Sequence, residues 1–114
     1  MEREQVVALL TKFASGHEDL KVKGKASAYL AINGNMFAFV DGSGEFCCRL
    51  SKEDRAAYAD AGFDASDVIR YNSVMRDYVV IPDALLSDTP KAQAWFERSV
   101  TYARSLKPKP TKKS

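Results

Sequence analysis

Residues 26–50, ASAYLAINGNMFAFVDGSGEFCCRL, read as a three-stranded antiparallel meander, and the fold class follows from that reading. Asn33-Gly34 separates two apolar runs, and both residues accept the positive φ that a type I′ hairpin turn demands. Asp41-Gly42-Ser43-Gly44 marks a second turn. With two residues in each loop, Ile32 faces Asn35 and Asp41 faces Gly44. Leu30 then pairs with Phe37, Ala28 with Phe39, Phe39 with Phe46, and Phe37 with Cys48. One face collects Ala28, Leu30, Ile32, Phe37, Phe39, Phe46, Cys48 and Leu50, all apolar. A slip of one residue would turn that set to the other side, so the agreement supports the register. Phe37 and Phe39 are both expected beneath helices, with Leu30 and Phe46 as neighbours.

The same pairing puts Tyr29, Ala31, Met36, Ala38, Val40 and Cys47 on the opposite face, beside Glu45 and Arg49. Antiparallel sheets normally alternate apolar-in and polar-out, and this face is too apolar for water. It is expected to be an interaction surface, made by Tyr29, Met36, Ala38, Val40, Cys47 and Arg49, for a homodimer or a protein partner. The competing reading is that a terminal helix crosses it and makes a second small core.

Outward from the meander the elements are helical. Glu2–Ala14 carries Val6, Leu9, Leu10 and Phe13 at i, i+3, i+4 and i+7, the stripe of an amphipathic helix ended by Ser15-Gly16. Val22 would begin the first strand, with Lys21, Lys23 and Lys25 alternating beside Gly24 as in a solvated edge or loop, the alternative being an anion-binding patch. Ser51 and Asp54 resemble a capping box, predicting a helix from Lys52 to about Ala61 with Gly62 just past its end. Phe63–Ser73 reads as an irregular loop. Val74–Ile81 reads as a fourth strand, which Pro82 terminates for want of an N–H. Pro82–Leu86 suggests one helical turn. Thr89 then caps a long helix with Pro90 at its first position. Ala92, Trp95, Phe96, Ser99, Val100, Ala103 and Leu106 form its stripe.

This order predicts an α+β fold: an antiparallel sheet, the meander plus at least one further strand, flanked by N-terminal, middle and C-terminal helices. Residues 1–106 are expected to form one domain, and 107–114, KPKPTKKS, a flexible basic tail.

The net charge of +2 includes +4 from Lys107, Lys109, Lys112 and Lys113, which leaves −2 over residues 1–106. A basic nucleic-acid footprint is therefore absent ahead of the tail, and contact with nucleic acid would have to run through those four lysines. No apolar run approaches the ~18–20 residues of a membrane span. Glu2, Arg3 and Glu4 precede an amphipathic segment rather than a signal-peptide core, so a cytoplasmic location is expected. Adjacent Cys47 and Cys48 point to opposite faces of a strand and are poor disulfide partners.

Few residues suggest chemistry. Cys47 and Cys48 are the nucleophile candidates of note. Cys48 lies on the core face, and Cys47 lies near Arg49. A thiol enzyme or redox protein using Cys47, or a nucleic-acid-associated protein working through the tail, is the alternative to a binding module. The lone His17 follows a helix end and reads as a surface residue. No catalytic residues, cofactor or metal ligands are expected. Arg49, Arg55, Arg70 and Arg76 would either meet to bind an anion or pair with Glu45, Asp54, Asp67 and Asp77; pairing is favoured.

Taken together, INGNMFAF, FCCRLSKEDR, SVMRDYVVIPDALL and WFERSVTYARSLKPKPTKK resemble the single-domain members of the TfoX/Sxy family, in order and spacing, from about Lys23 to the C-terminus. The LKPKPTKK ending is the most distinctive piece. Longer members carry this domain ahead of a second helical domain, for which this chain is expected to have no room, and are regulators linked to competence for DNA uptake. They tend to carry an MFGG-like stretch before the first strand, where this chain has KGKASAY. The resemblance implies an α+β fold and no catalytic residues, hence a non-enzymatic binding or regulatory module.

Overall fold

The Asn33-Gly34 turn forms as expected. Its φ angles of 52° and 81° join β1 (Ala28–Ile32) to β2 (Asn35–Val40). The computed structural model that shows this describes residues 1–24, 27–70 and 72–108 of the 114. Lys25 and Ala26, part of the expected first edge, fall outside it. Lys23 exchanges both backbone hydrogen bonds with Tyr29, at 2.9 Å each, so this edge folds back on β1.

The second turn is one residue longer than predicted. Asp41 faces Glu45, not Gly44, and donates its N–H to the Glu45 carbonyl at 3.0 Å. The cause is the Asp41 carboxylate. Its Oδ1 accepts from the Ser43 N–H (3.0 Å), the Ser43 hydroxyl (2.7 Å) and the Glu45 N–H (3.0 Å). Gly44, at φ 94°, supplies the left-handed residue that closes a three-residue loop. β3 (Phe46–Arg49) therefore pairs Val40 with Phe46, Phe39 with Cys47 and Ala38 with Cys48.

A β-bulge adds a second shift. Ile32 pairs with Asn35 and Ala31 with Met36, as predicted, but Leu30 then pairs with Ala38 and Tyr29 with Phe39. Phe37 is the extra residue. Phe37 and Ala38 both enter the helix-side core, and beyond them the faces of β2 are exchanged. Val40 lies in that core, and Phe39 lies on the other side. The expectation that Phe39 packs beneath helices is thus corrected, as is the assignment of Ala38 and Val40 to the second face. Phe37, Leu30 and Phe46 are where the sequence put them.

β6 (Tyr78–Ile81) pairs antiparallel with β3 and completes a sheet of order β1-β2-β3-β6. Helices α1 (Arg3–Ala14) and α4 (Thr89–Ser105) pack on one face. There Phe13 touches Phe96 and Phe46, with ring centroids 5.5 and 6.0 Å apart, and Phe37 lies 6.0 Å from Phe96. The cap of α4 is Asp88 rather than Thr89, with Pro90 still in its first turn. α2 (Lys52–Asp60) starts as predicted, the Ser51 hydroxyl accepting the Asp54 N–H at 3.0 Å, and Gly62 follows its end at φ 97°. Tyr58 of α2 stacks on Phe63 and donates its hydroxyl to the Val80 carbonyl at 2.7 Å. Asp83–Leu86 forms the short α3.

β2 continues past its last pair with β3, and side chains satisfy the opened ladder. The buried Ser99 hydroxyl lies 2.5 Å from the Arg49 carbonyl and 3.3 Å from that of Phe37, and the Tyr78 hydroxyl donates to the Met36 carbonyl at 2.7 Å. A serine on the apolar stripe of α4 thus serves the bulge. Ser99→Ala removes this hydroxyl donor from a buried position and is expected to cost about 1–3 kcal/mol in urea unfolding. An unchanged midpoint would mean that water replaces the hydroxyl.

The segment expected to be a loop and one strand folds differently. β4 (Val68–Arg70) and β5 (Ser73–Met75) form a separate two-stranded hairpin, Val68 opposite Met75 and Ile69 opposite Val74. Arg76-Asp77 then turns the chain into β6, with Asp77 at φ 72°. The predicted strand Val74–Ile81 is in fact two strands, because that left-handed residue interrupts it.

Candidate interaction surface

The hairpin β4–β5 lies over part of the second sheet face. Val68 points inward and joins Phe39, Cys47 and Tyr78 in a second small core. Phe39 and Tyr78 rings lie 5.3 Å apart. Tyr29, Met36, Met75 and Val80 pack half-buried around it. A second core is therefore present, but a hairpin closes it rather than a terminal helix.

This arrangement separates the residues proposed from sequence. Tyr29 and Met36 remain partly accessible at the rim. Ala38 and Val40 are buried under the helices, and Cys47 is wholly buried under the hairpin. Arg49 reaches the rim at the open end of the sheet. There, Met36, Arg49, Val74, Met75, Arg76 and Tyr78 line a groove of about 350 Å³.

The strand alternation that turns Val68 inward turns its neighbour outward. Ile69 and Val74, directly paired, are 58% and 54% exposed. Sequence reading missed both: Ile69 fell in the expected loop Phe63–Ser73, and Val74 opened the expected strand Val74–Ile81. The signal was present: VIR and SVM flank two residues ending in Asn72, which adopts φ 61°.

Charge on this side is arranged around few acids. Asp77 accepts from Arg55 at 3.1 Å, from Arg49 at 3.4 Å and from the Tyr102 hydroxyl at 3.1 Å. The Arg49 guanidinium also sits 5.9 Å from the Tyr102 ring centroid. Arg70 binds Asp41 at 2.7 Å and also contacts Glu45. Pairing thus holds for Glu45 and Asp77, whereas Asp54 pairs with Arg98, at 2.9 Å. Arg76 is exposed and has no ion pair among the described residues.

Cys47 is poorly placed as a nucleophile. Burial pushes its thiol up to about 12, and the nearby Arg70 guanidinium only partly offsets this. Burial raises Cys48 as well. Both thiols are expected to resist a disulfide-exchange reagent at pH 8 until the protein unfolds. Rapid native-state labelling of one thiol would restore the thiol reading. His17 contacts Glu97 at 2.8 Å. Among the described residues, no three His, Cys, Asp or Glu side chains converge as a metal site. Lys107 is exposed, and its carbonyl accepts from Asn35 at 2.9 Å; Lys109, Lys112 and Lys113 lie outside the described residues.

Residues 24–103 match a family described as the TfoX N-terminal domain. The chain belongs to that family. The TfoX match takes in the whole sheet, the β4–β5 hairpin and the groove, and ends within α4. Helix α1 precedes it, yet supplies Val6, Leu10 and Phe13 to the TfoX core. No curated protein matches the chain. No helix among the described residues is long and apolar enough to cross a membrane.

Proposed function

We propose that this TfoX-type chain is a non-enzymatic, cytoplasmic binding module. It docks the outer face of β4–β5, with the adjoining groove, on a partner protein. The exposed Ile69–Val74 pair carries the reading: two adjacent aliphatic side chains face solvent on a hairpin whose inner face closes a core. Burying such a patch is favourable by roughly 25 cal/mol per Å² of apolar surface. The domain spans residues 1–106 and 107–114 act as a basic tail. A regulatory role, as in longer members of the family, would be exerted through this contact.

Affinity capture from the native lysate, comparing wild type with the double variant Ile69→Lys/Val74→Lys, tests the reading. Both positions are exposed, so the fold should lose no more than about 0.5 kcal/mol per site. A partner is expected to be lost with the double variant and kept with Lys91→Glu, a control at an exposed position on α4. Equal capture by the double variant would remove the hairpin from the interface. Sedimentation at several concentrations separates a hetero-partner from a symmetric dimer, which would also be lost in the double variant.

A further inference from the structure

The groove beside the hairpin joins an apolar floor to a cationic rim. Met36, Met75 and the Tyr78 ring form the floor, Val74 forms one wall, and Arg49 and Arg76 stand at the edge. Arg55 adjoins them through Asp77. Arg49 and Arg55 share the one Asp77 carboxylate and Arg76 has no ion pair among the described residues, so at this end of the sheet three cations stand against one acid. Among the described residues, the Nε atoms of Arg49 and Arg55 are buried without an acceptor. Buried donors almost always find one, so this end of the sheet is short of acceptors as well as of negative charge.

We propose that the groove receives an acidic peptide segment of the partner protein. One aliphatic side chain seats on Met36, Met75 and Tyr78, and a flanking carboxylate pairs with Arg76 and Arg49. This rests on the reading of the hairpin face as a contact surface and adds the chemistry of what it contacts. A carboxylate meets a guanidinium through two parallel hydrogen bonds, and methionines adapt to varied apolar shapes. Nucleic acid fits less well. Tracking a phosphate backbone takes a run of cations, whereas this groove has two, Arg49 and Arg76.

The test is methionine-methyl NMR on the full chain, titrated with four probes. These are acetylated and amidated Gly-Asp-Leu-Glu-Gly, its amide counterpart Gly-Asn-Leu-Gln-Gly, its lysine counterpart Gly-Lys-Leu-Lys-Gly, and a single-stranded oligonucleotide. The acidic peptide is expected to shift the Met36 and Met75 methyls saturably, to bind at least tenfold more tightly than the amide peptide, and to lose its effect in Arg76→Glu. Arg76 is exposed, so that variant should fold, and circular dichroism checks it. No shift, an equal response to the amide or lysine peptide, or a response to the oligonucleotide alone overturns the proposal. If Ile69→Lys/Val74→Lys still abolishes capture while the acidic peptide leaves both methyls unmoved, only this inference falls. If capture survives the double variant, the hairpin reading itself falls.

Discussion

Phe39→Ala is expected to cost about 3–5 kcal/mol, the usual range for deleting a buried phenyl ring. It should do so in a way that Phe37→Ala does not. Phe39 is 2% exposed and packs on Tyr78, Cys47 and Val68, so its loss empties the small core under the hairpin. Phe37 packs on Phe96, so its loss empties the core under α4. In native-state hydrogen exchange, Phe39→Ala should accelerate the β4–β5 amides beyond the change in global stability, and Phe37→Ala should leave those amides at the global rate. Identical exchange patterns in the two variants would place both rings in one core and refute the bulge.

The Asp41 loop predicts the second large effect. Its carboxylate takes three hydrogen bonds within the turn and one from Arg70. Asp41→Ala is expected to cost about 3 kcal/mol, the lower end for breaking a buried pair, because Arg70 keeps Glu45. The charge can be isolated with Asp41→Asn, which still accepts hydrogen bonds in the turn. Burial pushes the Asp41 carboxyl up, but the bonds from Ser43 and Glu45 and the Arg70 guanidinium outweigh it and hold it below the ordinary 3.8. A depressed folded-state value means that the ionised form stabilises the fold. That contribution is complete above the unfolded value near 4 and is lost as pH falls through the lowered one. Urea unfolding between pH 2 and pH 7 should therefore show a shallower acid decline for Asp41→Asn than for wild type. Parallel declines would show that Asp41 titrates as it does in the unfolded chain.

These two sites also mark where sequence reading stopped. Elements with one dominant local cause were legible: the Asn33-Gly34 turn, the Ser51 cap, the Gly62 terminus and the apolar stripes of α1 and α4. The three-residue loop was not, because a two-residue alternative gave an equally apolar face. Its true length depends on a carboxylate folding back on its own loop. The bulge was not legible either. Phe37, Ala38, Phe39 and Val40 are all apolar and all buried, so the sequence carries no polar residue to report which way each points. The β4–β5 hairpin escaped for the opposite reason. Its strands are three residues long, with too few alternations to register against the polar residues around them. The proposed contact surface moved with it: Tyr29 and Met36 stayed at the rim, but the most exposed aliphatic pair sits on the hairpin.

The bond from Tyr58 to Val80 bears on how this sheet can grow. β6 is a terminal strand, with β3 its one sheet neighbour among the described residues, and such strands invite pairing with other chains. Helix α2 lays a phenol across that margin, and its hydroxyl takes the carbonyl of the middle of the strand. An incoming strand would have to displace the whole Tyr58 side chain, together with its stacking on Phe63 and its edge contact with Trp95. Strand addition on this side of the sheet therefore meets a side chain of the protein's own at Val80.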